Sequence, residues 1–219
     1  MTLPDPPRLV ICGTDTDIGK TVVSALVVQG LGAHYWKPVQ SGIDTDDPTG
    51  ATDSERLQRL LSLSPERIVP EAYRLQAPVS PHWAAEREGV QIERDTLLTL
   101  PSVPGPLVIE MAGGLMVPLR RDWLQIDLLA AWGLPVLLVA RTGLGTLNHT
   151  LLSLEALERR GIPVQGVLLC GDAHADNGRT LAALTTVPIL GWLPRLDPLT
   201  AAELARHWHS SDLAHGLLR

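Results

Sequence analysis

The sequence predicts an α/β domain whose mostly parallel sheet carries helices on both faces, and three observations lead there. Short, continuous apolar runs alternate with helical patterns along the whole chain. Gly or Pro bounds each apolar run. A glycine-flanked, hydroxyl-bearing loop separates the first run from the first helical pattern. Apolar strands that do not alternate with polar residues are covered on both sides, as in a three-layer sandwich.

In chain order, RLVICG (8–13) reads as a buried strand and 19–32 as a helix with TVVSALVVQGLG as its body. HYWKPV (34–39) is expected as the second strand. TDSERLQRLLSL (52–63) opens with a capping box, Thr52 as N-cap and Glu55 three residues on. SPHWAAEREG (80–89) has Ser80 as N-cap, Pro81 at the first helical position and Gly89 at the stop. PLVIEM (106–111), PVLLVA (135–140), PVQGVLLC (163–170) and VPILGW (187–192) are the remaining strands, with helices expected over 146–161 and 177–185. The stretch PSVPGP (101–106) reads as a loop and 42–51 as a mobile segment. There is no internal repeat and no low-complexity linker, so 1–219 is read as one domain.

Composition narrows the function. A chain of 219 residues, 45% apolar, can bury about 70% of its unfolded surface. It has no Phe, so Leu, Val, Ile and six Trp must fill the core. The net charge is −6 and no basic run is longer than two residues, which argues against a nucleic-acid groove. No apolar stretch reaches the roughly 18 residues of a membrane span. The Pro-rich start MTLPDPPR does not read as a signal peptide. Cys12 and Cys170 each end an apolar run and are expected to be small buried thiols, which fits a reducing cytoplasm.

Among 18 basic residues there are only two lysines, Lys20 and Lys37; the rest are arginine. Both fall in glycine-flanked stretches that read as loops. A chain that uses Arg wherever a generic base will do keeps Lys where a compact ammonium is needed and a planar fork does not fit. Lys20 closes GTDTDIGKT (13–21), a phosphate-loop pattern between a strand and a helix, here G-x5-GKT because Gly13 comes one residue early. Loop N–H groups and the helix N-terminus would bind phosphates, Lys20 would reach the outer ones, and the Thr21 hydroxyl would ligate Mg²⁺. Asp15 and Asp17 in this loop either shape the turn or face a cationic second substrate. Glu110, ending an apolar strand before Gly113 and Gly114, is the leading carboxylate partner for the metal. Asp53, in the first turn of its helix, is a weaker candidate by pattern. In GLGTLNHT (143–150), the free N–H groups of the first helical turn offer a site for a carboxylate.

GTDTDIGKT, KPVQSG (37–42), SPH (80–82), IEMAGG (109–114) and GLGTLNHT occur together and in order. The chain thereby resembles the dethiobiotin synthetases, over roughly 8–150 with a weaker match at LGWLPRL (190–196). The resemblance implies a P-loop nucleoside-triphosphatase-like fold. It implies an ATP- and Mg²⁺-dependent reaction of 7,8-diaminopelargonate with CO₂ or bicarbonate, through a carbamate and a carbamic–phosphoric anhydride. Lys37, Lys20 and Thr16 would act at the reacting groups. Ser41, Thr16, Asp17, Gly145, Thr146, Leu147 and Asn148 would bind the substrate, the last four from the partner subunit of a homodimer. Asp17, Ile18, Gly19, Lys20, Thr21, Val22, Asp53, Glu110, Met111, Ala112, Gly113, Gly171, Asp172, Pro194, Arg195 and Leu196 would surround the nucleotide. Thr21, Asp53 and Glu110 would hold the metal.

Three departures from the family pattern matter. Asp17 replaces the usual Glu. Met111 stands where Gly is usual and is expected to crowd the turn after the strand. Gly171–Asp172 replaces an Asn-Asp pair, which removes an amide that would read adenine and opens the site to other nucleoside triphosphates. His82 and His149 are expected to pack or cap, and His207, His209 and His215 to lie on a solvated helix face, without ligand spacing for a metal. The alternative reading is a nucleotide-switched partitioning-type ATPase, which would want a lysine where Asp15 stands. An amidoligase of corrin synthesis would need a glutaminase domain for which 219 residues leave no room.

Overall fold

Alternate side chains of each central strand point to opposite faces, and both faces of this sheet are apolar. A computed structural model describes residues 7–43, 51–211 and 213–217. In chain order the elements are β1 (Arg8–Gly13), α1 (Lys20–Leu31), β2 (His34–Trp36), β3 (Val39–Ser41) and α2 (Asp53–Leu61). A 3₁₀ turn (Pro65–Arg67) leads to β4 (Ile68–Val69), β5 (Tyr73–Leu75), α3 (Pro81–Arg87) and α4 (Arg94–Leu98). Then come β6 (Leu107–Glu110), β7 (Pro118–Arg120), β8 (Trp123–Leu124), α5 (Gln125–Trp132), β9 (Val136–Arg141) and α6 (Thr146–Glu158). The last are β10 (Val164–Cys170), α7 (Asn177–Leu184), β11 (Ile189–Leu193), α8 (Ala201–Ser210) and α9 (Leu213–Leu217).

The main sheet has seven strands in the order β11-β10-β9-β1-β6-β2-β4, every pairing parallel. Val10 and Cys12 of β1 join one apolar cluster with α3 to α7, and Leu9 and Ile11 join the other with α1, α2, α8 and α9. That is the expected three-layer α/β sandwich. β1 lies between β6 and β9 at the centre, so the loop after it opens at the carboxyl end of the sheet, where open α/β sheets bind ligands.

Several expectations need correction. HYWKPV is two strands: β2 stops at Trp36, and β3 pairs with β5 in a separate small sheet. Pro38 lacks the N–H that would continue the ladder, so the chain leaves the main sheet at Lys37. Lys20 is the first residue of α1 rather than a loop residue, and both lysines are buried. Ser80 stands at the N-cap of α3, but its side chain makes no capping bond; its carbonyl accepts from Trp83 and Ala84 instead. Cys12 is buried as expected, whereas Cys170 is only half-buried. The segment expected to be mobile lies mostly outside the described residues. Among these, no helix is long and apolar enough to cross a membrane.

Helix α1 runs close against α8 because Gly30 has no side chain. A Cβ at Gly30 would come within 2.2 Å of the Trp208 ring. Gly30→Val should therefore overpack this contact, at a cost of about 1–3 kcal/mol. At roughly 2–4 °C per kcal/mol for a chain of this size, thermal unfolding followed by circular dichroism should show Tm lowered by several degrees. An unchanged Tm would mean that α8 moves away freely.

Candidate functional site

The loop between β1 and α1 has a shape that suits an anion. Asp17 adopts φ 54 and Gly19, the N-cap of α1, φ 98, left-handed conformations that favour glycine and that Asp tolerates better than most residues. Lys20 folds back over the loop, and its Nζ donates to the Asp15 carbonyl at 2.7 Å. Burial lowers the Lys20 pKa, partly opposed by the charge of Glu110. Asp15 is a loop-shaping residue: its Oδ1 accepts from Thr16 N at 2.8 Å and its Oδ2 from Arg141 at 2.7 Å. Its carboxylate is thus engaged by Arg141, an interaction not visible in the sequence pattern.

Glu110 ends β6 on the same face as Val108, the face that α1 covers. Its Oε1 accepts from the Thr21 hydroxyl at 2.8 Å and from Lys37 at 3.2 Å, and its Oε2 from the Tyr35 hydroxyl at 2.9 Å. Lys37 lies one residue past the paired Trp36 and Ile109, which brings it beside Glu110. Lys37 also donates to Asp53 Oδ2. Asp53 is set by the capping box of α2, in which Thr52 Oγ1 accepts from Glu55 N and Glu55 Oε2 accepts from Thr52 N. Gln40 Oε1 accepts from Asp53 N at 3.2 Å, tying the helix start to β3. Burial pulls the Lys37 pKa down, but Glu110 and Asp53 outweigh it and hold the ammonium above its ordinary value.

Lys20, Thr21, Lys37, Gln40, Asp53 and Glu110 face a cavity of about 910 Å³, lined also by Thr16, Ser41, Ser80, Ala112 and Gly113. A second cavity of about 650 Å³ is lined by Arg141, Thr142, Cys170, Gly171, Asp172, Pro194, Arg195 and Leu196. Both share Asp17, Ile18, Gly19, Val22 and Leu199, so they adjoin across the phosphate loop. Thr21, Asp53 and Glu110 offer only oxygens, which suits a small hard cation. The Lys37 ammonium pairs with both Asp53 and Glu110, so the two carboxylates converge on one positive charge.

Some expected residues are placed otherwise. Met111 is buried in the core opposite α1 and lines neither cavity, so its side chain does not crowd the turn. Gly145, Thr146, Leu147 and Asn148 also line neither cavity of their own chain, and the Thr146 side chain is buried. Gly171 has φ 124, and a Cβ there would lie 2.8 Å from Thr142 Oγ1, so the position excludes an amide side chain in this backbone. A nearby amide, Asn177, donates to the Thr142 carbonyl at 2.7 Å. Burial pushes the Cys170 thiol up to about 12. His82 and His149 line neither cavity. His207 is not solvated as expected: it is half-buried, and burial lowers its pKa. Among the described residues no cluster of three or more His, Cys, Asp or Glu is poised for a metal. Sequence reading missed Tyr35, Gln40 and Arg141. Only the period of two along β2 hinted at Tyr35, because it sets Tyr35 and Lys37 on one face.

A family model described as an AAA domain matches residues 7–203. Among solved structures, the ParA family ATPase from Chlorobium tepidum TLS has a TM-score of 0.52 at 13% identity, covering 97% of this chain and 96% of that one. The septum site-determining protein MinD from Pyrococcus horikoshii OT3, complexed with Mg-ADP, has a TM-score of 0.55 at 14% identity, covering 96% and 92%. At such identities the likeness shows the fold alone, and the partitioning-type reading gains nothing further from it. The ATP-dependent dethiobiotin synthetase BioD of Rhodopseudomonas palustris (strain BisB18) is 57% identical over 205 residues, covering 94% of this chain and 95% of that protein. The ATP-dependent dethiobiotin synthetase BioD of Brucella ovis is 51% identical over 211 residues, covering 94% and 97%. With half or more of its residues shared over nearly its whole length, the chain belongs to the dethiobiotin synthetase family.

Proposed function

We propose that this chain closes the ureido ring of dethiobiotin from 7,8-diaminopelargonate, CO₂ and ATP. The observation that carries the reading is that its only two lysines, far apart in sequence, face one cleft beside Glu110 and Asp53. One substrate amine adds to CO₂ and loses a proton to give a carbamate. A carbamate oxygen attacks the γ-phosphorus, ADP leaves, and a carbamic–phosphoric anhydride remains. The second amine attacks the carbonyl carbon and expels phosphate. Attack of an anion on a polyanion needs neutralising charge fixed in place beforehand. Lys20 reaches the outer phosphates, and Lys37 bears on the oxygens of the carbamate. Thr16, Asp17 and Ser41 meet the substrate at the cleft wall. Thr21, Asp53 and Glu110 would hold Mg²⁺, which would supply neutralising charge to the phosphates. The loop backbone from Asp17 to Val22 cradles the phosphates with Ala112 and Gly113 opposite, and the base lies against Gly171, Asp172, Pro194, Arg195 and Leu196.

The segment Gly145 to Asn148 serves the neighbouring subunit of a homodimer, where its helix N-terminus meets the substrate carboxylate. That these residues line neither cavity of their own chain supports this arrangement. The reaction belongs to the cytoplasm, where ATP is at hand.

The test is to mix protein, diaminopelargonate, bicarbonate, Mg²⁺ and each of the four nucleoside triphosphates, and to weigh the product. The ureido product should form with all four. With no amide at Gly171, exchanging the base should cost no more than about tenfold in affinity, since a lost hydrogen bond is worth about 0.5–1.5 kcal/mol. Absence of product would sink the reading. A preference for ATP of a thousandfold or more would sink the relaxed selectivity. Lys37→Arg keeps the charge but should misplace its donors, and should lower kcat by roughly 10²–10³-fold, as loss of one well-placed donor at a reacting oxygen does. Nucleotide titration of the same variant should remain near normal, and near-native turnover would remove Lys37 from the chemistry. A Lys37→Arg protein mixed with one altered at Thr146 and Asn148, both inactive alone, should regain partial activity in heterodimers. No rescue despite measured subunit exchange would place each site within one chain.

A further inference from the structure

Glu110 is held from two sides. Thr21 and Lys37 reach its Oε1 from the cleft. Tyr35 reaches its Oε2 from within the core, where the ring is completely buried. β2 and β6 pair Tyr35 with Val108, two residues before Glu110 on the same face, so the phenol lies diagonal to the carboxylate. Tyr35 lines neither cavity and cannot touch nucleotide or substrate.

We propose that Tyr35 is a positioning residue for Glu110: its hydroxyl clamps Oε2 and so commits Oε1 to the cleft. The inference rests on the reading of Glu110 as a Mg²⁺ ligand. A carboxylate with donors on both oxygens cannot turn about its terminal bond, so its metal-facing oxygen is set before any ligand arrives. Phe at this position would fill the same space but leave Oε2 buried without a donor. That oxygen would then compete for Thr21 or Lys37, and Oε1 would lose its fixed direction.

Partners that orient metal ligands typically set metal affinity by roughly 10–100-fold. Mn²⁺ titrated into the protein with saturating AMP-PNP, free Mn²⁺ being read by electron paramagnetic resonance, tests this without catalysis. Tyr35→Phe should weaken Mn²⁺ binding by roughly 10–100-fold. Glu110→Gln should weaken it at least as much, and the double variant should lose little more than Glu110→Gln alone, since Tyr35 acts through Glu110. Native affinity in Tyr35→Phe, or fully additive losses in the double variant, would overturn the proposal. If Glu110→Gln itself binds Mn²⁺ normally, the metal reading fails and the proposal goes with it. A probe that keeps the phenol covers the case of a poorly folded variant. Tyr35 and Tyr73 are the chain's two tyrosines, so 3-fluorotyrosine in a Tyr73→Phe background labels Tyr35 alone. Its ¹⁹F resonance should move when Mg²⁺ joins bound AMP-PNP and should not move in Glu110→Gln. A resonance indifferent to Mg²⁺ in the otherwise native site would equally overturn the clamp.

Discussion

A charge taken out of water must be paired, and Glu110, 1% exposed at the end of a central strand, is the charge around which this site is arranged. Burial of an unpaired carboxylate costs several kcal/mol, and only good geometry with further hydrogen bonds offsets it. The donors to Glu110 come from the second residue of α1, from β2, and from the break that follows β2. Each exists only if the sheet is correctly ordered, with β6 between β1 and β2. Folding and site assembly are therefore one event. The same constraint explains the lysine at 37. A compact ammonium fits between Glu110 and Asp53, whereas a guanidinium would need room for five donors in a plane.

The second carboxylate is placed by different physics. Asp53 opens a helix whose start is held by a capping box and by Gln40, local interactions that need no buried charge. It therefore remains partly exposed at the cleft edge, while Glu110 is locked below. Glu110 is thus anchored and Asp53 less so, with the Thr21 hydroxyl of the first turn of α1 bonded to the anchored carboxylate.

The phosphate loop separates the two cavities and belongs to both. On its phosphate side the walls carry the ammonium and carboxylate groups. On its other side, Gly171 and the 194–196 segment shape a cavity that Arg141, Thr142, Asp172 and Arg195 also line. Arg141 links the sides: it lines the second cavity while its guanidinium holds Asp15 in the loop.

Local and periodic features were legible in the sequence because they act within a few residues. The alternation of apolar runs and helical patterns gave the parallel sheet, the 13–21 spacing gave the anion loop, Thr52 and Glu55 gave the start of α2, and the scarcity of lysine singled out Lys20 and Lys37. Tertiary structure alone decided what depends on which strands become neighbours. The order β1-β6-β2 puts Tyr35 against Glu110, although 75 residues separate them in the chain. Pro38 ended a strand that apolar pattern alone would have continued, and the side of the strand on which Met111 falls sent it into the core rather than into the cleft. Residue type and spacing set what a segment can form; the register between strands distant in sequence sets what its side chains meet.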